Sequence, residues 1–128
     1  MAAMARFLLI CLGGAFGTGA RYLLGGWAQR ALGTTFPWGT LIINSLGSFC
    51  IVIIMYLGVQ RGLISPSTRL VLTTGVMGGF TTYSTFNYET IRLLQDGSLA
   101  LGALNILATV VVCLLTGGLG VLVCRAIG

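Results

Sequence analysis

The sequence predicts an all-α integral membrane protein with four transmembrane helices in a single domain, residues 1–128. Of these residues 56% are hydrophobic and only 7% are charged, and the mean hydropathy is +1.01. A soluble domain of this length needs far more charge to cover its surface. Four apolar stretches each approach the roughly 20 residues that cross a bilayer. They are residues 5–26, 37–57, 70–94 and 99–123.

The first two spans carry residues that belong at a membrane interface. The stretch 5–26 is expected to stay in the protein, because it is long for a signal peptide, contains Arg21 and precedes three further apolar stretches. Trp27 and Trp38 flank the short connector that follows, and amphipathic aromatic rings favour the boundary between lipid and water. We therefore expect this connector to lie at the membrane surface.

Small residues and proline mark helix ends and helix contacts. Ser65 followed by Pro66 is typical of an N-cap and a first helical position, so the third helix is expected to begin there, and Gly97 can end it. Gly13 and Gly17 have the small-xxx-small spacing that lets backbones approach closely in lipid. Glycines of the first and fourth spans are interpreted as packing residues, in contacts that include a second copy of the chain.

The polar composition excludes several function classes. The net charge of +5 is spread over both predicted interfaces and forms no basic patch, which argues against a nucleic-acid surface. Without His or Lys, and with only two acidic residues, the chain lacks most groups for acid–base or nucleophilic catalysis, so it is not expected to be an enzyme. The cysteines are interpreted as apolar packing residues within the spans: Cys11, Cys50, Cys113 and Cys124.

The arginines give little information about orientation. With four spans both termini lie on the same side of the membrane, and the basic residues then fall on both sides. The bias that normally sets orientation is therefore weak, and such a chain can insert both ways. Arg6, Arg61, Arg69 and Arg125 lie on the side of the termini, and Arg30, Arg92 and, near the interface, Arg21 lie on the other.

Polar side chains lie at membrane depth in the first, second and fourth spans. Arg21 starts about 7 to 8 Å below the interface, where it either extends to the surface or places a positive charge at the mouth of an anion pore. Asn44 either joins helices or lines a watery path, and Thr40 and Ser48 on the same face favour the path. The same spacing recurs on the fourth span at Asn105, Thr109 and Cys113.

The third span contains hydroxyl groups and glycines where a lipid-embedded helix is normally apolar. The run GGFTT, residues 78–82, is typical of a helix broken at mid-membrane, because freed backbone groups need local partners there. The freed carbonyl and amide groups can coordinate an ion. Tyr83 and Phe86 follow on one helical face. Such a pair usually packs in a core, but ring edges that line a narrow passage can also hold a small anion.

Four segments carry a resemblance to a known family. They are GGAFGTGARYLL, FPWGTLIINSLGSF, TTGVMGGFTTYSTF and ALNILATVVV. In their order and spacing they closely resemble the Fluc family of small fluoride channels, also called CrcB. The resemblance covers essentially the whole chain.

This resemblance implies a passive, fluoride-selective channel of the bacterial inner (plasma) membrane, through which toxic cytoplasmic fluoride leaves down its electrochemical gradient. It implies a dual-topology homodimer, in which two antiparallel four-helix subunits enclose two fluoride pathways. It also implies a structural sodium ion at the dimer interface, bound by the backbone carbonyls of Gly78 and Thr81. Hard oxygen ligands suit such a cation.

The resemblance also assigns residues to the fluoride pore. The aromatic pair of the family corresponds to Tyr83 and Phe86, the pore asparagine to Asn44 and the arginine near the vestibule to Arg21. Tyr83 is a departure, because the family commonly has Phe there, and Cys113 is a poor donor in the polar track of the last span. The expected pore residues are Tyr83, Phe86, Asn44, Arg21, Thr40, Ser84, Asn105 and Thr109.

Two other functions remain as alternatives. An exporter of the small multidrug-resistance type is also short and four-spanning, but it needs a glutamate within the first span to couple protons, and here Glu89 lies in the third span and Asp96 in a connector. A non-transporting scaffold could use glycines and polar residues for helix association alone. The polar faces and the broken span argue against a scaffold.

Overall fold

The computed structural model describes residues 3–128, which are helical apart from short connectors. Helix α1 comprises Ala3–Leu32, and α2 comprises Trp38–Gln60, of which Tyr56–Gln60 is π-helical. Helix α3 consists of Pro66–Leu70, Val71–Met77 and Gly78–Phe80, which follow one another without a gap. Helix α4 comprises Tyr83–Gln95, and α5 comprises Leu99–Ile127.

Three of these helices, α1, α2 and α5, are long and apolar enough to cross a membrane. They run past the predicted apolar stretches, to Leu32, Gln60 and Ile127, because intrahelical hydrogen bonds satisfy the backbone wherever the helix continues into the interface. The third predicted stretch, 70–94, is divided between α3 and α4. Helix α4 has 13 residues, whereas a span needs about 20.

The predicted ends of the third helical region are confirmed. The Ser65 hydroxyl accepts the N–H of Thr68 at 3.1 Å, and Pro66 occupies the first helical position, as the N-cap pattern predicts. Gly97 lies just beyond α4 with φ of 79°, a left-handed conformation that glycine adopts without strain. Local sequence signals therefore fix both ends of this region.

Helix α1 packs against α3 with its backbone almost in contact. A Cβ atom on Gly17 would collide with the carbonyl oxygen of Val76, and one on Gly79 would collide with the carbonyl oxygen of Gly14. Only glycine fits at either position. The packing interpretation of the glycines in the first span agrees with this contact, and α3 supplies the opposing glycine.

The outer surface of the helices is largely apolar. Leu12, Leu107 and Leu114 are 67%, 63% and 72% exposed, and they lie on α1 and α5, two of the long apolar helices. An apolar surface of this extent is unstable in water and is stable against lipid or another protein chain. The buried polar residues described below, among them Thr40, Thr82 and Asn105, lie between the helices and not on this surface.

Candidate functional site

The helical backbone is interrupted between α3 and α4 at two threonines. Thr81 has φ of −84° and ψ of 160°, and Thr82 has φ of −153° and ψ of 113°, so both are extended. The break lies at the end of the run GGFTT, and Gly78 and Gly79 remain helical. These glycines do not unwind the helix. Gly79 instead allows the close approach of α1 described above.

Asn44 of α2 satisfies both backbone groups of Thr82. Its Nδ2 donates to the Thr82 carbonyl at 3.0 Å, and its Oδ1 accepts the Thr82 N–H at 2.8 Å. In a continuous helix that N–H would donate to the carbonyl of Gly78. The asparagine therefore replaces the hydrogen bonds that the break removes from Thr82.

Threonine side chains and an arginine make further hydrogen bonds at the break. The Thr82 hydroxyl accepts the N–H of Thr85 at 3.2 Å and caps α4. The Thr81 hydroxyl donates to the carbonyl of Met77 at 2.9 Å. Arg21 of α1 donates through Nη1 to the Thr81 carbonyl at 3.5 Å. The structure thus brings together Arg21, Asn44 and the break, which the sequence analysis identified separately.

A cavity of about 1180 Å³ opens beside the break. Arg21, Thr40, Thr82 and Glu89 line it, and Glu89 lies beside the Thr40 hydroxyl. The Oε2 atom of Glu89 is buried and has no hydrogen-bond partner within residues 3–128. Because both donors and a carboxylate face it, the cavity is polar and suited to water and ions. Its lining further includes Arg30, Thr85, Arg92 and Asp96.

The two aromatic residues of α4 have different environments. Their ring centroids lie 5.7 Å apart at an interplanar angle of 55°, a tilted arrangement that aromatic pairs favour. Phe86 is 9% exposed, but Tyr83 is 78% exposed and Ser84 is also exposed. Within one chain only Phe86 is in the interior. Tyr83 and Ser84 face the surroundings of the subunit.

Polar residues of α5 contact both α4 and α2. Asn105 is 1% exposed and donates through Nδ2 to the Thr90 hydroxyl at 2.9 Å, and this hydroxyl donates to the Phe86 carbonyl at 2.8 Å. The Thr109 hydroxyl is buried without a partner in the described chain. The Cys113 sulfur lies 3.9 Å from the Ser45 hydroxyl. Sequence analysis missed Thr90, although its i, i+4 spacing from Phe86 was a usable signal.

These features define a multi-pass membrane protein with a polar break held between its helices. The chain belongs to the CrcB family, whose model, described as CrcB-like protein, Camphor Resistance (CrcB), matches residues 8–121. The resemblance found in the sequence motifs is therefore confirmed. The match includes α2 to α4 and the break.

Several curated relatives are similar over nearly their whole length. The Fluoride-specific ion channel FluC of Anaeromyxobacter sp. (strain K) is 54% identical over 122 residues, which are 95% of this chain and 97% of the relative. The protein of the same name from Sorangium cellulosum is also 54% identical, over 95% of this chain and 96% of its own. That from Trichlorobacter lovleyi is 45% identical over 99% of both chains. The chain is thus a multi-pass bacterial membrane protein.

Proposed function

We propose that this protein is a fluoride-specific ion channel of the bacterial plasma membrane and not an enzyme. It lets toxic cytoplasmic fluoride leave down its electrochemical gradient and thereby makes the cell resistant to fluoride. The observation that carries this function is the 54% identity, over 95% of the chain, to a relative named a fluoride-specific ion channel. Because the membrane potential is negative inside, it drives an anion outward without a coupled ion.

The break between α3 and α4 supplies the chemistry of an anion path. At the N-terminus of α4, N–H groups without intrahelical acceptors and the positive end of the helix dipole favour a negative charge. Asn44 uses one amide hydrogen on Thr82 and keeps a second for an ion. Phe86 lies one turn further, where its positive ring edge can face a fluoride ion that has lost its water. These donors suit an anion and not a cation.

The cavity beside the break forms the vestibule of this path. Arg21 and Thr40 line it, and the fixed charge of Arg21 raises the local concentration of anions. From Arg21 the anion passes to Asn44 and then to Phe86. Thr109 adds a buried hydroxyl without a partner in the described chain, which fits a polar wall further along the path.

The channel is an antiparallel, dual-topology homodimer with two pores, and α3 together with α4 forms the third of four spans in each subunit. Two observations support this assembly. Tyr83 is 78% exposed and Ser84 is exposed, so these pore residues can reach an ion only where a second subunit covers them. The weak arginine bias allows insertion in both orientations. Cysteine labelling of single-Cys variants at Ser67 from both sides of the membrane tests the dual topology.

A structural sodium ion between the subunits fits the carbonyl end of α3. The Gly78 carbonyl has lost the Thr82 N–H to Asn44, and the Thr81 carbonyl accepts only a long bond of 3.5 Å from Arg21. Hard cations take several oxygen ligands, so two carbonyls of one chain do not suffice, and the same pair from a second subunit brings the number to four. The thermal midpoint of the purified protein should rise when sodium replaces N-methylglucamine.

The direct test of function is ion release from liposomes. Purified protein is reconstituted with potassium fluoride or potassium chloride inside, valinomycin is added, and the released anion is followed by electrode. We expect rapid fluoride release with little chloride release, and no dependence on a pH gradient. Release that needs a pH gradient would favour a multidrug-resistance type of exporter, with Glu89 as the proton carrier. No release from folded, dimeric protein would contradict the channel function.

A further inference from the structure

We propose that Thr90 and Asn105 act as a positioning pair that fixes Phe86 in the fluoride path. This role rests on the proposed function. The contact is a short relay between two helices, from the Asn105 amide to the Thr90 hydroxyl at 2.9 Å, and from that hydroxyl to the Phe86 carbonyl at 2.8 Å. Asn105 and Thr90 are 1% and 5% exposed, so water does not compete for these bonds.

The relay gives the Thr90 hydroxyl a defined direction. A hydroxyl group has one hydrogen and two lone pairs. Because the Asn105 amide occupies a lone pair, the hydrogen is directed to the carbonyl of Phe86, one turn earlier on α4. Without the amide, the threonine would make only the common bond to its own helix, which does not attach α4 to α5.

Phe86 lies midway between two such attachments. Thr82, Phe86 and Thr90 are four residues apart on one face of α4, and they are 8%, 9% and 5% exposed. An asparagine from a different helix holds each threonine, Asn44 of α2 at the break and Asn105 of α5 one turn after Phe86. The two asparagines therefore fix α4 on both sides of the residue whose ring edge meets fluoride.

This geometry separates Asn105 from the residues that contact the ion. Its side chain is 1% exposed, its amide is bonded to Thr90, and in the described chain it does not line the cavity that reaches Arg21 and Thr40. The sequence resemblance places Asn105 in the pore wall. We infer instead that Asn105 acts through Thr90 on the position of Phe86.

The test is a double-mutant cycle with Thr90→Val and Asn105→Leu, in which fluoride efflux and thermal midpoint are both measured. Each single change should lower the efflux rate about tenfold and the thermal midpoint by about 5 °C, because Thr90→Val leaves the buried Asn105 amide unpaired and Asn105→Leu removes the hydrogen bond that joins α5 to Thr90. The double variant, with an apolar pair, should recover most of the thermal midpoint. Its efflux should stay low, no lower than that of the worse single variant.

Two matched variants complete the design. Thr90→Ser keeps the hydroxyl and should keep efflux within about twofold of wild type. Thr73→Val removes the same type of bond on α3, a 2.9 Å bond from its hydroxyl to the Arg69 carbonyl, and should leave efflux unchanged. If Thr73→Val lowered fluoride efflux as much as Thr90→Val does, this result would contradict a specific role for Thr90 and Asn105.

The outcomes distinguish positioning from packing and from direct ion contact. If the double variant recovered both fluoride efflux and thermal midpoint, the pair would serve only to pack α4 against α5. Losses that multiply would give Asn105 an independent place in the pore. If wild type releases fluoride and Thr90→Val releases it at the normal rate, the positioning role of the pair is wrong and the channel function stands. Wild-type liposomes that release no fluoride overturn the channel function and the pair together.

Discussion

Helices α3 and α4 lie on either side of the same break, yet different interactions hold them in place. Helix α3 contacts α1 through backbone at Gly79 and Gly14, with no side chain between them. Helix α4 is attached through polar side chains, to α2 by Asn44 and to α5 by Asn105. Close backbone packing, with one long hydrogen bond of 3.4 Å from the Thr18 hydroxyl to the Gly79 carbonyl, holds the half before the break. Shorter hydrogen bonds from two asparagine side chains hold the half after it.

The difference teaches where chemistry can be added to a membrane helix. Backbone contact between glycines satisfies no polar group and presents none to an ion. The helix after the break begins with unpaired N–H groups, so it needs polar partners and offers donors to a ligand. The rigid contact of α3 therefore supports the site, and α4 carries it.

The largest effect is expected from Gly79→Ala. The new methyl group would meet the Gly14 carbonyl, a backbone atom that cannot move aside, so overpacking should cost about 3 kcal/mol or more and abolish folded protein. The matched control is Gly19→Ala on α1, where an added Cβ meets nothing within 4 Å. Monodisperse yield and thermal midpoint in detergent measure both. Equal yields from the two variants would contradict the backbone contact.

Asn44→Leu should have the second largest effect. It removes both bonds to Thr82 and leaves the amide and carbonyl of the break unpaired, which should cost about 2 to 4 kcal/mol and reduce fluoride efflux by more than about tenfold. Asn87→Leu, at an exposed position of α4, is the control. A normal thermal midpoint in Asn44→Leu would show that the break does not depend on this asparagine.

Phe86→Ile should separate transport from stability. Ile keeps most of the apolar volume, so the thermal midpoint should change little, but the ring edge is lost and fluoride efflux should fall by about tenfold. Phe7→Ile, at a 59% exposed position of α1, should leave efflux unchanged. Normal fluoride efflux from dimeric Phe86→Ile would count against a role for the ring in the path.

Tyr83→Phe is expected to have the smallest effect. The change keeps the ring and its tilted contact with Phe86 and removes one hydroxyl from a residue that is 78% exposed in the single chain. Fluoride efflux should stay within about twofold of wild type. A loss of about tenfold would instead assign the phenol hydroxyl a direct contact with the ion or with the second subunit.

Sequence patterns that act over one or two turns were read correctly. The Ser65 cap, the Pro66 start and the Gly97 end depend on neighbouring residues only, and so does the break predicted within the run GGFTT, which lies at its two threonines. The bond from Asn44 to Thr82 joins residues 38 positions apart, and no local pattern specifies that partner. The sequence therefore indicated that Asn44 matters without indicating what it holds.

For a related reason, the sequence does not predict which side chains of α4 are buried. Spacing places Tyr83 and Phe86 on one face, but whether that face is buried depends on which helices pack against it. Helix α5 contacts Thr90 through Asn105, and Phe86 is buried whereas Tyr83 is exposed. The role of Thr90 emerges only when its partner Asn105, 15 residues further along the chain, is known.

Channel currents in a planar bilayer give the most direct test of a fluoride path through the break. Purified protein is placed in a bilayer with different fluoride concentrations on the two sides and chloride added to one side, and the voltage at which the current reverses is measured. We expect reversal at a voltage set by fluoride alone, unchanged when the chloride concentration is varied. A reversal voltage that follows chloride, or the absence of current from folded, dimeric protein, would contradict a fluoride-specific channel.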